Sequence, residues 1–263
     1  DVLGSRGLGD VYKRQILLSN DDGIDSEGLK LLAETLGKEH EVFVVAPAEQ
    51  KSAFSHSMTF RRPLYVDKIK MKGAANAYAL SGTPGDCVKF GAEFFGFKPD
   101  IVLAGPNKGP NIGIDILYSG TVGAAQEGAV LGYPAVALSC VAFENFRFDT
   151  CCRFMSENLD RIKALNLKDS VLNINVPNVD YGQIKGVKVV KHGRHWFDDI
   201  YEKHIDVEGN KVGWCLTGGI RQPPKGIHCD MEYILENYVT LTPLKIDRTD
   251  YELLDVVGEA FEK

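Results

Sequence analysis

Two adjacent acids, Asp21 and Asp22, follow a short apolar run and precede Gly23. Neighbours within a strand point to opposite faces. Beyond a strand end, with glycine freeing the backbone, both carboxylates can turn to one point. Side by side they repel, and a cation resolves the repulsion. The nearest further oxygen donors are the hydroxyl of Ser52 and the amide of Asn107. A set of two acids and neutral oxygens suits a hard ion such as Mg²⁺, Mn²⁺ or Ca²⁺. His56 is the sole imidazole in these loops, and they hold no cysteine, which disfavours zinc. The plainer alternative for Asp21-Asp22 is a solvated turn with a helix cap.

Two carboxylates and one divalent ion cancel, so a bound anion needs other donors. Ser119-Gly120-Thr121 opens a helix-like stretch, and free N–H groups at a helix N-terminus bind phosphate. Gly109 and Gly113 flank Asn111 in a similarly open loop. Lys108 adds a positive charge there or is an ordinary solvated lysine. Other phosphate and nucleophile signatures are missing: no G-x-x-x-x-G-K-[ST], no G-x-G-x-x-G after the first strand, no G-x-S-x-G. His192-Gly193-Arg194-His195 has no acid cluster beside it and reads as structural or as a rim to the site. Phe90, Phe94, Phe95 and Phe97 sit at helical spacing and read as core.

The elements that would position these residues alternate. Ile16–Ser19 reads as a buried strand, Ser26–Leu36 as an amphipathic helix and Val42–Ala46 as a second strand ended by Pro47. Thr83–Phe95 reads as a helix, Ile101–Ala104 as a strand leading into a loop over Gly105–Gly113, and Ser119–Leu131 as a helix. Ala135–Ser139, Phe148–Leu165 and Val171–Val176 continue as strand, helix and strand. Apolar strands alternating with helices predict an α/β fold, a mostly parallel sheet with helices on both faces. Ligands in such sheets bind beyond the carboxyl ends of the strands. The loops Asn20–Gly23, Pro47–Ser57 and Gly105–Gly113 should therefore share one edge.

After about Gln183 the pattern changes. Val187–Lys191, Val212–Leu216 and Tyr238–Leu241 look like strands with no helix between them, a hairpin-like extension. Asp250–Phe261 is a last amphipathic helix, which either swaps onto another subunit or folds back on its own domain. The expected division is residues 1–15 as a non-native leader, 16–183 as the α/β core, 184–246 as the β-hairpin extension and oligomerisation region, and 247–263 as the C-terminal helix. The leader shows no periodicity and no targeting h-region, and reads as a relic of cloning or sequence assembly.

The chain has 263 residues, 44% of them apolar, with 30 Lys plus Arg against 36 Asp plus Glu, a net charge of −6. That balance argues against a stable nucleic-acid partner. The apolar runs are far too short to cross a membrane. Six cysteines without a Cys-x-x-Cys pair and without a secretory leader read as reduced cytoplasmic thiols.

The segments ILLSNDDGIDSEGLKLLAETL, VFVVAPAEQKSAFSHS, SGTPGDCV, DIVLAGPNKGPNIGIDILYSGTVGAAQEGA and YVTLTPLKID, in order from Ile16 to the C-terminus, together resemble the SurE family of metal-dependent 5′-nucleotidases. The resemblance implies a Rossmann-like catalytic core over 16–183, a β-hairpin extension, a swapped C-terminal segment and homodimers or homotetramers. It implies one divalent ion per subunit, Mg²⁺ or Mn²⁺, on Asp21, Asp22, Ser52 and Asn107. It places Ser119, Gly120 and Thr121 on the phosphate, with Asn20, Gly105 and Asn107 also lining the substrate site. The implied activity is hydrolysis of nucleoside 5′-monophosphates, and of 3′-monophosphates, to nucleoside and phosphate. Direct attack by water is expected, with Asp21 or Asp22 as the base. The alternatives are a broad acid phosphatase or exopolyphosphatase, and a non-catalytic nucleotide-binding protein. The chain departs from the family pattern at three places: Ala48 stands for Asp or Asn, Ala53 for the Gly after the serine, and Pro106 for Val or Ile. Proline there should stiffen the loop.

Overall fold

The computed structural model describes residues 13–262 except 95, 97, 195, 196, 207, 208, 210, 220, 222, 223 and 225. Most of the expected leader, together with Phe95, Phe97 and His195, lies outside the described residues.

Strand β1 (Gln15–Ser19) is buried apart from Gln15 and leads to helix α1 (Glu27–Leu36) and strand β2 (Glu41–Pro47). Ser26 caps α1 by accepting from the Leu29 N–H. Two short strands then follow that the periodicity does not show, β3 (Val66–Ile69) and β4 (Asn76–Leu80). They form an antiparallel hairpin whose β4 runs parallel to β2. Helix α2 (Pro84–Phe94), strand β5 (Ile101–Lys108), helix α3 (Gly120–Val130), strand β6 (Ala135–Val141), helix α4 (Phe148–Lys163) and strand β7 (Ser170–Pro177) complete the alternation.

Beyond them lie β8 (Val187–Val189), β9 (Ile200–Ile205), β10 (Val212–Thr217), helix α5 (Asp230–Leu235), β11 (Val239–Lys245) and helix α6 (Tyr251–Phe261). Nine strands make one sheet in the order β3-β4-β2-β1-β5-β6-β7-β11-β8, and β9 pairs with β10 apart from it. Helices α1 and α4 share one apolar layer with one face of the sheet, and α2 and α3 share the other.

Four differences from the expected elements have physical reasons. First, β5 does not stop at Ala104 but runs to Lys108, with a register shift between Ala104 and Asn107 that absorbs Gly105 and Pro106. Second, β8 and β11 belong to the main sheet: β11 pairs antiparallel with β7 and parallel with β8. Third, a helix does intervene in the late region. Helix α5 packs on β7 and β11 and buries Asp230, Met231 and Ile234, a face too short to show as periodicity. Fourth, Phe94 is not core: it stacks on half-buried Phe90 at 4.5 Å but is two-thirds exposed.

Candidate active site

Strands β2, β1 and β5 are parallel neighbours, so the segments leaving their carboxyl ends emerge together. This puts Asn20–Gly23, the residues after Pro47 and the end of β5 on one edge, as the alternation predicts. Three bonds tie the segments. The Lys51 N–H donates to the Asp21 carbonyl at 2.7 Å, the Lys108 N–H to Asp22 Oδ2 at 2.9 Å, and the Thr121 hydroxyl to Asp21 Oδ1.

Each predicted residue has a definite place. Asn20 is fully buried and closes the acid turn on itself, with its amide donating to the Gly23 carbonyl at 3.0 Å and accepting from the Gly23 N–H at 3.2 Å. Gly23 takes φ +94°, which a side chain rarely adopts. Asp21 is 4% exposed. Burial pushes its carboxyl up to about 6, against the bond from Thr121, and the charge of Asp22 adds to the rise. Asp22 is also raised, first by burial, with the Lys108 N–H and ammonium opposing. Gly105 sits at φ +120°, where a Cβ would come within 2.2 Å of the Leu138 carbonyl oxygen, so close strand packing demands the glycine. Asn107 donates to the Gly109 carbonyl at 3.0 Å, and its Oδ1 lies 3.5 Å from the Thr121 hydroxyl. Ser52 is exposed on the neighbouring loop, and its hydroxyl accepts from Gln50 at 2.9 Å rather than meeting either acid.

Ser119 is the N-cap of α3, its hydroxyl accepting from the Val122 N–H at 3.0 Å. Gly120 lets the helix end come close: a Cβ there would lie 2.9 Å from Asp21 Cβ and 3.1 Å from the Lys51 carbonyl oxygen. Thr121 is fully buried and aims both its hydroxyl and its N–H at Asp21. The N-terminal field of α3 therefore falls first on Asp21. This differs from the reading of Thr121 as a phosphate contact, because the buried hydroxyl is given to the acid.

The donors fit a divalent cation. The two neighbouring carboxylates are both raised by burial, the charge of Asp22 adds to the rise at Asp21, and the Lys108 ammonium offsets only part of the rise at Asp22. No cluster of three or more His, Cys, Asp or Glu occurs among the described residues, and a hard cation on two acids would draw its remaining donors from neutral oxygens and water.

Sequence reasoning missed a second polar group, which joins the loop after β2 to α3. Glu127 of α3 is 5% exposed and binds His56 Nε2 at 2.8 Å and Lys89 Nζ at 3.2 Å. A helix of small residues with almost no polar face, GTVGAAQEGAV, leaves little solvent for a glutamate, and that was the available signal. His192 bonds the neighbouring Gly193 carbonyl at 3.0 Å, and neither it nor Arg194 joins the acids. Beside the site a cleft of about 640 Å³ lies between residues 113–118 and the root of the β9–β10 hairpin, lined by Asp115, Tyr118, Phe197 and Tyr201. A more apolar cleft of about 580 Å³ lies on the α2–α3 face, around Met58, Phe60 and Phe90. Neither contains the acids, which stand on the open edge of the sheet.

Similarity to known proteins agrees with this geometry. The family model described as survival protein SurE matches residues 16–199. A protein named 5′-nucleotidase SurE from Clostridium botulinum (strain ATCC 19397 / Type A) is 44% identical over 252 residues, spanning 94% of this chain and 98% of that protein. One of the same name from Thermosipho africanus (strain TCF52B) is 40% identical over 249 residues, spanning 94% and 97%. The crystal structure of the SurE protein from Aquifex aeolicus superposes with a TM-score of 0.81 at 36% identity, covering 94% of this chain and 99% of that one. With the acid turn, the α3 terminus and the separate hairpin all in place, the chain belongs to the SurE family.

Proposed function

We propose that this chain hydrolyses nucleoside 5′-monophosphates, and also 3′-monophosphates, to nucleoside and phosphate. The observation that carries the reading is the pair of desolvated carboxylates, both raised by burial, set against the N-terminus of α3. The relatives named 5′-nucleotidase SurE support the substrate class. One divalent ion per subunit, Mg²⁺ or Mn²⁺, would be held by Asp21, Asp22, Ser52 and Asn107. When bound, such an ion polarises a phosphoryl oxygen and acidifies the attacking water.

The chain's own groups do the rest. Asn20 closes the turn that carries both acids beyond the end of β1. Thr121 fixes Asp21, and the Lys108 N–H fixes Asp22. Ser119 and Gly120, with the α3 field behind them, face the charge that builds on the equatorial oxygens. One of the two acids takes the proton of the attacking water. Tyr118 directly precedes the N-cap, so the cleft it lines is where a nucleoside would extend from the phosphate.

Six free cysteines, five of them buried, are in keeping with a cytoplasmic setting. No helix among the described residues is long and apolar enough to cross a membrane. The partners proposed are the nucleotide and further copies of the chain, as homodimer or homotetramer, with no stable nucleic-acid partner.

The test is phosphate release from 5′-AMP with Mg²⁺ or Mn²⁺, with and without EDTA, for wild type and Asp22→Asn. Release should require both metal and Asp22, and the variant should keep its fold with turnover down by at least ~100-fold. Folded wild type that acts on p-nitrophenyl phosphate or short polyphosphate but not on 5′-AMP or 3′-AMP would make it a phosphatase of another class. No release from any of these would favour a nucleotide-binding protein.

A further inference from the structure

The segment after β2 carries Ser52 and lies across α2 and α3. It lies so close that a Cβ at Gly123 would come within 2.3 Å of the Ser55 carbonyl oxygen and 2.9 Å of His56 Cα. A Cβ at Gly85 would meet Met58 Sδ at 2.9 Å and the Ser57 carbonyl oxygen at 3.2 Å. Within the segment the backbone twice enters the left-handed region at residues other than glycine, with φ 60° at Ala53 and 54° at Ser55. Such conformations persist where the surroundings over-determine them.

Lys51 bonds to the Asp21 carbonyl upstream of the turn, and the Ser55 N–H bonds to the Tyr118 carbonyl at 3.0 Å. The Ser55 hydroxyl donates to the Leu117 carbonyl at 2.6 Å. Downstream, the Thr83 hydroxyl donates to the Ser57 carbonyl at 2.6 Å, and the Thr59 N–H donates to Asp86. Between them stands a side-chain anchor onto a buried carboxylate, His56 on Glu127. An ionised carboxylate only accepts, so His56 Nε2 carries the proton of that bond. Lys89 takes the other carboxylate oxygen from α2, so one buried group joins α2, α3 and the loop. Glu127 lies seven residues along α3 from Gly120, roughly 10 Å of helix, and so cannot touch the phosphate.

We propose that Glu127 is a positioning residue for the reaction: through His56 it fixes the left-handed turn that carries Ser52 next to Lys51 and the acid turn, from where the Ser52 hydroxyl can leave Gln50 for a bound ion. The proposal rests on the reading of Ser52, Asp21 and Asp22 as the metal site. Removing the Glu127 carboxylate frees His56, relaxes φ at Ala53 and Ser55, and withdraws Ser52. It leaves α3 and its N-terminus where they are.

The experiment measures Mn²⁺ binding by calorimetry, kcat and KM for 5′-AMP, and amide hydrogen exchange over residues 51–57. Wild type, Glu127→Ala, Glu127→Gln, His56→Ala and the Glu127→Ala/His56→Ala double variant are compared. Mn²⁺ affinity should fall about tenfold in each alanine variant, with kcat lowered and KM for 5′-AMP nearly unchanged. The double variant should lose no more than either single one. Exchange should speed up over residues 51–57 and stay slow in β1 and β5. Should Glu127→Ala be too unstable to purify, Glu127→Gln keeps the shape, and a smaller loss of Mn²⁺ affinity with the same local exchange pattern is expected. Wild-type Mn²⁺ affinity and kcat in folded Glu127→Ala or Glu127→Gln overturns the proposal, and so does additive loss in the double variant. Asp22→Asn is the separate control: Mn²⁺ binding that survives it removes the metal-site reading itself, whatever Glu127 does.

Discussion

Thr121 shows how one buried hydroxyl changes a residue's role. Its side chain is fully buried and bonds to Asp21, which burial has already made uncomfortable as an anion. Thr121→Val keeps the volume and deletes the donor. Removing a group that orients a metal-ligating carboxylate typically costs about 10–100-fold in metal affinity, so Mn²⁺ affinity should drop roughly tenfold or more. Competitive inhibition by inorganic phosphate should change less, and the reverse ratio would return Thr121 to the phosphate. Ala53 offers a second single-residue case. It holds φ 60°, and the resemblance to SurE sequences already marks it as standing where glycine is usual. Ala53→Gly should raise stability by about 0.5–1 kcal/mol, read from the urea midpoint, because relief of left-handed strain exceeds the added unfolded-state freedom. An unchanged or lower midpoint would mean the turn is not strained. At this scale Asp21 and Asp22 were legible, because two acids that end an apolar run repel each other unless a cation joins them. Glu127 and His56 were not. They are 71 positions apart, and no local pattern announces a pair that meets only when the loop crosses α3.

At the scale of elements, whatever buries a continuous apolar face was readable. Strands β1, β2, β5, β6 and β7 and their helices follow from runs such as Val42–Ala46, whose side chains are nearly all buried in the sheet. What was missed lies at edges. Strand β3 is mostly exposed and reads Val-Asp-Lys-Ile, so nothing marks it until β4 pairs with it. The end of β5 was hidden by Gly105 and Pro106, which usually punctuate a loop but here sit in a bulge. The α2–α3–loop junction supports a prediction of its own. His56 first, then Lys89, holds the Glu127 carboxyl below its usual 4.5 despite burial. A carboxyl lowered by folding stabilises the fold above pH ~4.5 and loses that contribution as pH falls through the folded value. Wild type should therefore be more stable than Glu127→Gln near neutral pH, and the gap should close below pH ~4.5. Urea unfolding from pH 7 to 3.5 measures it. A gap independent of pH would show that the pair contributes nothing through its charge.

For the whole molecule, two pieces cannot stand as a single chain leaves them. Helix α6 buries no residue; Leu253, Leu254, Val256 and Val257 are each more than half exposed, and Phe261 is 83% exposed. An isolated helix of 11 residues is marginal in water, so its stability must come from a covered apolar face. The β9–β10 hairpin is a two-stranded sheet with Tyr201, Trp214 and Leu216 open to solvent, and such hairpins are also marginal alone. Both pieces close the chain's later part, and both would be covered at once in a closed symmetric assembly of identical chains. The chain should therefore sediment as a dimer or larger, with a melting temperature that rises with protein concentration. Leu254→Glu with Val257→Glu should shift it towards monomer and lower that temperature, while the acid turn stays intact. Because Asp21 and Asp22 sit at the carboxyl end of β1 and α6 makes no extensive contact with a core element among the described residues, monomers of the variant should still bind Mn²⁺. A wild type that stays monomeric at high concentration would mean that α6 folds back on its own domain in solution.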